Sequence, residues 1–89
     1  MNLHYTTHFK KDYKRIKNQN RDLGKLRAVI EKLVAGQLLE TKYSDHQLFG
    51  NWKGHRDCHI GPDWILIYRI TDDDLFLERT GSHSELFKN

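Results

Sequence analysis

The second half of this 89-residue chain contains four side chains whose types suit proton transfer or phosphate binding: His46, His59, Asp63 and His83. Histidine is the side chain whose ordinary pKa lies nearest neutrality, so three histidines and a carboxylate predict acid–base chemistry. Basic residues elsewhere in the chain make a phosphodiester, and RNA above all, the substrate that best suits this chemistry. The four residues are separated along the chain, so the prediction requires a fold that brings them together.

The composition predicts one small domain, 1–89, with a basic N-terminal half. The chain has 15 Lys and Arg against 12 Asp and Glu, and no Pro-rich or Gly/Ser-rich linker divides it. Residues 10–32 hold nine Lys or Arg and three acidic residues, which suits a polyanionic partner, although two solvated helix faces would have the same composition.

Cellular location is predicted from what the sequence lacks. Cys58 is the single cysteine, which excludes an internal disulfide and favours a reducing compartment. The first residues lack the apolar run of a signal peptide, and no stretch is long and apolar enough to span a bilayer. We therefore expect a cytoplasmic protein without a membrane partner.

The N-terminal half predicts a strand and two helices. Residues 3–6 have the character of a short strand, and Thr7 is placed to cap a first amphipathic helix. A polar break follows, then Asp22 caps a second amphipathic helix that Gly36 closes. Two short amphipathic helices joined by a polar turn predict a helical hairpin.

The C-terminal half predicts a sheet. Residues 37–54 lack clean periodicity and predict a long irregular loop, which in a compact domain is often functional. Three strands follow at 55–60, 64–70 and 75–81, and a helical turn is expected at 84–87. The order β-α-α-β-β-β predicts an α+β domain, with the helical hairpin packed on one face of a small, largely antiparallel sheet.

Hairpin geometry predicts that three of the four candidate groups meet. With turns at 61–62 and 72–73, His59 lies opposite Trp64, and Trp64 lies opposite Gly81. Directly opposed residues have Cβ atoms about 5 Å apart. A slip of one residue would change which face a side chain occupies but not the end of the sheet where it lies. The groups gathered at that end are His59, Asp63 and His83, whereas the loop residue His46 is not placed.

Cleavage of RNA by its own 2′-hydroxyl needs a base, an acid and stabilisation of charge on the phosphorane. The histidines and Asp63 suit the first two roles. Lys53, Arg56 and Arg79 are candidates for the third role, and Trp64 could stack on a base.

Several stretches of the second half together resemble the YafQ toxins, a branch of the RelE/ParE superfamily. The resemblance is continuous from about residue 46 to 87, whereas the first half resembles the family only in element order and basic character. The stretches are Asp45-His46-Gln47-Leu48, Trp52-Lys53-Gly54, Arg56-Asp57, His59, Pro62-Asp63-Trp64-Ile65-Leu66-Ile67-Tyr68 and Glu78-Arg79-Thr80-Gly81-Ser82-His83.

The resemblance implies a RelE-like microbial RNase fold and a type II toxin–antitoxin system. Such a toxin enters the A site of the 70S ribosome and cuts mRNA without metal or cofactor, and a cognate antitoxin neutralises it in a hetero-oligomeric complex. Family functional positions correspond here to His46, His59, Asp63, Trp64, His83 and Phe87.

The resemblance also suggests roles for these residues. His83 is expected to be the general acid, and either His46 or Asp63 the base. His59 would orient the phosphate or share its charge. Trp64 and Phe87 would hold the RNA or the C-terminal turn.

Three alternatives remain open on the sequence. The four polar groups could ligate zinc, although their spacing matches no compact zinc motif. A non-catalytic ParE-like toxin that acts on DNA gyrase would share the fold, but it is not expected to carry this set of histidines and aspartate. A plain RNA-binding module would not depend on His83 for its effect.

Overall fold

The computed structural model describes residues 1–87. Its elements are β1 (Asn2–Tyr5), α1 (Thr7–Asn18), α2 (Leu23–Val34), β2 (His46–Gln47), β3 (Arg56–Gly61), β4 (Trp64–Thr71), β5 (Asp74–Gly81) and α3 (His83–Leu86). Short 3₁₀ turns at Thr41–Tyr43 and Gly50–Trp52 flank β2. None of the helices within residues 1–87 has both the length and the apolarity that crossing a bilayer requires.

The five strands form one mixed sheet in the order β1-β5-β4-β3-β2. Only the edge pair β1–β5 is parallel, and the other neighbours are antiparallel. The predicted α+β class and largely antiparallel sheet are therefore confirmed. The fifth strand, β2, lies inside the segment predicted as an irregular loop, because two residues are too few to show a periodicity.

The two long helices pack on one face of the sheet, as predicted. The side chain of Asp22 caps α2 by accepting a hydrogen bond from the Gly24 N–H. The cap of α1 is Thr6 rather than the predicted Thr7, and its Oγ1 accepts from the Phe9 N–H at 3.0 Å. Between helices and sheet lies the main core, which includes Phe9, Ile16, Leu26, Val29, Leu33, Cys58, Leu66, Tyr68, Leu75 and Leu77.

The opposite face of the sheet is also covered. Successive side chains of β4 point to opposite faces, so Leu66 and Tyr68 face the helices while Ile65 and Ile67 face away from them. The second face is closed by α3 and the loop before β3, through Leu48, Trp52, Leu86 and Phe87. Because this cover is small, polar side chains at its border remain accessible.

The strand register differs by one residue from the prediction. His59 pairs with Ile65 rather than Trp64, and Ile65 rather than Trp64 pairs with Gly81. Between β3 and β4 the cause is the turn, which consists of Pro62 and Asp63, so that β3 extends to Gly61 and has an irregularity after His59. Between β4 and β5 the predicted turn is kept, and the register shifts at a bulge between Ile67 and Tyr68. The slip leaves the predicted groups at the same end of the sheet.

Candidate active site

Three histidine rings form an arc at the border of the second sheet face. His46 comes from β2, His59 from β3 and His83 from the first turn of α3. The ring centroids of His46 and His59 lie 6.5 Å apart, and those of His59 and His83 lie 5.5 Å apart. Three separate elements thus present imidazole groups to one surface, and His46, which the sequence did not place, is among them.

Asp63 holds His83 at two points. One oxygen, Oδ1, accepts from the His83 backbone N–H at 3.0 Å and lies 3.0 Å from His83 Nδ1. These contacts, led by the backbone hydrogen bond, lower the pKa of Asp63 below its usual range. Asp63 reaches this position from the turn with a φ of 48°, in the left-handed region that aspartate tolerates better than most residues.

The start of α3 is fixed by its own cap. Ser82 accepts from the Glu85 N–H, and the Glu85 side chain accepts from the Ser82 N–H, which together form a capping box. Ser82, and not His83, therefore supplies the cap. The imidazole of His83 remains accessible at the edge of the helix, with its side chain 54% exposed.

Beneath the arc lies a carboxylate that the sequence analysis did not select. Asp57 on β3 is 3% exposed, and its Oδ1 lies 3.0 Å from Nε2 of His46. The contact is not aligned as a hydrogen bond, so Oδ1 is buried without one. Burial raises the pKa of Asp57, and the neighbouring histidines His46, His59 and His83 oppose that rise.

Strand alternation was the signal that could have identified Asp57, since residues two apart on a strand lie on one face. By that rule Asp57 shares its face with His59.

Aromatic side chains form one wall beside the arc. The Phe87 ring centroid lies 6.2 Å from that of His83 and 6.5 Å from that of Trp52. Both aromatic residues are half-buried. Trp52 was predicted only as an apolar anchor of the loop, and its position beside Phe87 makes it a candidate contact for a base.

Trp64 does not lie where base stacking requires it. Its side chain is in the helix-side core, 4% exposed, and its Nε1–H donates to Thr80 Oγ1 at 2.9 Å. The alternation of β4 placed it there, and the Arg21 guanidinium lies over its ring at 5.4 Å. The structure therefore corrects the predicted RNA-binding role of Trp64 to a core role.

Two of the three predicted cationic groups are engaged elsewhere. Arg56 lies on the strand face opposite to His59, where its Nε donates to Asp45 at 3.3 Å. Arg79 donates from Nε and Nη2 to the two oxygens of the buried Asp12 on α1. Both arginines therefore support the structure, and their predicted RNA-binding role stays a prediction. Lys53 is exposed in the loop after Trp52.

The remaining histidines lie outside the arc. His4 pairs with Asp74, His55 pairs with Glu78, and His8 is exposed on α1. Within residues 1–87, no group of three or more potential ligands has the geometry to hold a metal ion. The arrangement offers two opposed imidazoles, with a third between them, on a surface open to a large substrate.

Comparison with known proteins identifies the family. The family model described as "Bacterial toxin of type II toxin-antitoxin system, YafQ" matches residues 1–88. The mRNA interferase toxin YafQ of Escherichia coli strain K12 is 44% identical over 86 residues, which cover 96% of this chain and 94% of that protein.

Solved structures extend the likeness to the whole fold. The crystal structure of YafQ from E. coli strain BL21(DE3) superposes with a TM-score of 0.93 at 42% identity, over 97% of each chain. YafQ in the E. coli DinJ–YafQ complex superposes with a TM-score of 0.91 at 42% identity, again over 97% of each chain. The chain therefore belongs to the YafQ family of bacterial toxins of type II toxin–antitoxin systems.

Proposed function

We propose that this chain is an endoribonuclease toxin that cuts messenger RNA in the ribosomal A site and so inhibits translation. The observation that carries the proposal is the arc of His46, His59 and His83, which three separate elements direct to one accessible surface. A relative that is 44% identical is named an mRNA interferase toxin, and the family is one of toxins.

The proposed reaction is an internal transfer that needs no water in the first step. A base removes the 2′-hydroxyl proton, the 2′-oxygen bonds to phosphorus, and the bond from phosphorus to the 5′-oxygen breaks. An acid gives its proton to the leaving 5′-oxygen, so the products are a 2′,3′-cyclic phosphate and a 5′-hydroxyl. Two proton-transfer groups on opposite sides of one phosphate satisfy this scheme, and no metal or cofactor enters it.

His83 is the acid in this scheme. Its Nδ1 lies 3.0 Å from the Asp63 carboxylate, so the ring donates there and presents Nε2 to the substrate. The Asp63 carboxylate accepts that hydrogen and fixes the orientation of the ring. Because Asp63 already accepts from His83 at two points, its geometry supports an orienting role better than that of the base.

The base and the phosphate-binding group then come from the other side of the arc. His46 is one contender for the base, and His59 lies between His46 and His83, where it would orient the phosphate or share its charge. Lys53 would contact the RNA backbone from the loop, and Phe87 would hold a base or the C-terminal turn.

The proposed partners are the 70S ribosome, its bound mRNA and a cognate antitoxin. E. coli YafQ is found in a DinJ–YafQ toxin–antitoxin complex, which supports an antitoxin and a hetero-oligomeric complex for this chain. A toxin that acts on translating ribosomes works in the cytoplasm.

In vitro cleavage on programmed ribosomes tests the function. The wild type is expected to cut mRNA on ribosomes, at the same rate after the toxin has been treated with a chelator that is then removed, and to cut naked mRNA much more slowly. A gyrase supercoiling assay run beside it should show no inhibition. Gyrase inhibition without cleavage would instead support the non-catalytic ParE-like alternative, and loss of cleavage after the chelator treatment would contradict the metal-free scheme.

A further inference from the structure

Asp57 is a buried carboxylate that the scheme above leaves unused. Its side chain lies under the arc with Oδ1 inaccessible and without a hydrogen bond. Burying an ionised carboxylate without a partner is costly, so a nearby positive charge or a proton must compensate it. The nearest candidate is Nε2 of His46, at 3.0 Å from Oδ1.

The two nitrogens of His46 determine where its hydrogens lie. Nδ1 lies 2.8 Å from the Ser44 carbonyl oxygen, which can only accept, so Nδ1 carries a hydrogen. If Nε2 had a lone pair, it would face the Asp57 carboxylate at 3.0 Å and repel it. A proton therefore belongs between Nε2 and Asp57, and a small rotation of the half-exposed ring would align it.

We propose that Asp57 is a positioning residue that shares one proton with His46 and keeps that ring protonated at both nitrogens. The inference rests on the proposed ribonuclease function for its consequence but not for its geometry. In this state His46 has no free nitrogen to take the 2′-hydroxyl proton, and it acts as a cation that binds the phosphate. The base is then His59, because Asp63 is committed to His83.

Charged groups on each neighbouring element affect the protonation of the Asp57–His46 pair. His46 approaches Asp57 from β2, His59 from the same strand and His83 from α3. Asp45, which precedes β2, opposes them, but it accepts hydrogen bonds from the Tyr68 hydroxyl at 2.6 Å and from Arg56. When the histidines are protonated, their charges favour the ionised form of Asp57, which can then accept the hydrogen on Nε2 of His46.

Nitrogen-15 NMR of the imidazole rings tests the proposal directly. At pH 8, where an unpaired imidazole is neutral, His46 of the wild type is expected to show two protonated nitrogens. In Asp57→Asn, which preserves the size of the side chain, it should become a neutral ring with hydrogen on Nδ1 alone. The matched control Asp63→Asn should change the spectrum of His83 and leave that of His46 unchanged. An unaltered His46 spectrum in Asp57→Asn would overturn the proposal.

Cleavage kinetics supply a second readout. Asp57→Asn is expected to cut ribosome-bound mRNA about 10- to 100-fold more slowly. The double variant Asp57→Asn/His46→Gln should be no slower than the slower single variant, because both changes disrupt one unit. Losses that multiply would show two independent contributions and would count against the pair.

A further variant keeps the proposal testable if Asp57→Asn does not fold. In His46→Gln the buried carboxylate loses its partner, and a carboxyl group whose pKa burial has raised destabilises the folded state as pH rises. The melting temperature of His46→Gln relative to wild type should therefore fall as pH rises above about 4, the unfolded pKa of a carboxyl group, and a constant difference would contradict the pairing. If the wild type cuts no RNA at all, the proposed function fails, while the NMR result still decides the proton sharing.

Discussion

Two carboxylates at this site lie in opposite environments. Asp63 is exposed and accepts two contacts from His83, which lower its pKa, whereas Asp57 is buried, and burial raises its pKa. The exposed carboxylate therefore stays ionised and orients the proposed acid. The buried one is suited to hold a proton with His46. Two identical groups are thus suited to different roles, one through its hydrogen bonds to His83 and the other through burial.

Substitution of His83 tests the proposed acid. His83→Gln is expected to slow cleavage of ribosome-bound mRNA by 100-fold or more, because a general acid typically contributes about 10²–10⁴-fold. Asp63→Asn should slow it less, and the double variant should be no slower than His83→Gln. The control is His8→Gln, at an exposed residue of α1, and this variant should cut at the wild-type rate. A fully active His83→Gln protein would favour the plain RNA-binding module.

Substitution of Trp64 separates a core role from RNA stacking. Trp64→Phe removes the hydrogen bond to Thr80 and part of the packed volume, so we expect a loss of about 1–2 kcal/mol in the free energy of unfolding. Below the melting temperature, cleavage should stay within about threefold of wild type. Urea unfolding and the ribosome assay measure the two quantities. Unchanged stability combined with weakened RNA binding would restore the stacking role.

At the scale of elements, α3 sets the position of the proposed acid although it has only four residues. Such a helix has little stability of its own, so its position depends on contacts with the rest of the fold. These are the capping box, the ion pair between Arg15 and Glu85 at 3.0 Å, and the burial of Leu86 against Ile65 and Ile67. Gly81 allows this close approach, because a Cβ there would lie 2.5 Å from Arg15 Nη2.

Gly81→Ala should therefore displace α3. We expect a loss of about 1–3 kcal/mol in the free energy of unfolding, together with slower cleavage, because His83 moves with the helix. The matched control is Gly61→Ala at the end of β3, where a new Cβ would meet its nearest atom at 3.8 Å, an ordinary contact. Chemical denaturation and cleavage assays of both variants decide the point. Equal effects of the two substitutions would show that the crowding around Gly81 is unimportant.

At the scale of the whole molecule, a polar cluster joins the first helix to the last strand. Asp12 on α1 accepts from Arg79, from Arg15 and from the Thr80 N–H. Burial raises the pKa of Asp12, but the hydrogen bonds from Arg79 and Thr80 outweigh it and hold the pKa below its usual range. Because Arg15 also pairs with Glu85, this cluster connects α1 to the element that carries His83.

Asp12→Asn should make the free energy of unfolding less sensitive to a fall in pH. A carboxyl group with a lowered folded pKa stabilises the protein above its unfolded pKa of about 4, and that contribution is lost as pH falls through the folded value. The variant should lose roughly 3 kcal/mol at pH 7 through the broken buried pair, and the difference from wild type should narrow towards pH 3.

Urea unfolding from pH 3 to 7 measures this effect. The control is Asp74→Asn, which disrupts an exposed pair with His4 and should leave the free energy of unfolding nearly unchanged. A difference between Asp12→Asn and wild type that does not change with pH would contradict the linkage to Asp12.

The sequence by itself determined the fold class, the face of the helices that is buried, and the end of the sheet where three of the four groups meet. Local physics suffices for these features: apolar periodicity fixes which face packs, and an antiparallel hairpin brings its strand ends together whatever the register. That is why register shifts of one residue, after His59 and between Ile67 and Tyr68, left His59 and His83 at one edge.

Only the tertiary structure decided the rest. The two-residue strand β2 forms through pairing with β3, which places His46 over Asp57, and no pattern within residues 37–54 encodes that pairing. Three residue types that suit RNA binding have partners within the fold instead. Trp64 is packed in the core and bonds to Thr80, Arg56 donates to Asp45, and Arg79 donates to Asp12. Long-range packing assigns those partners, because which of several polar groups is buried depends on the side chains that cover it from elsewhere in the chain.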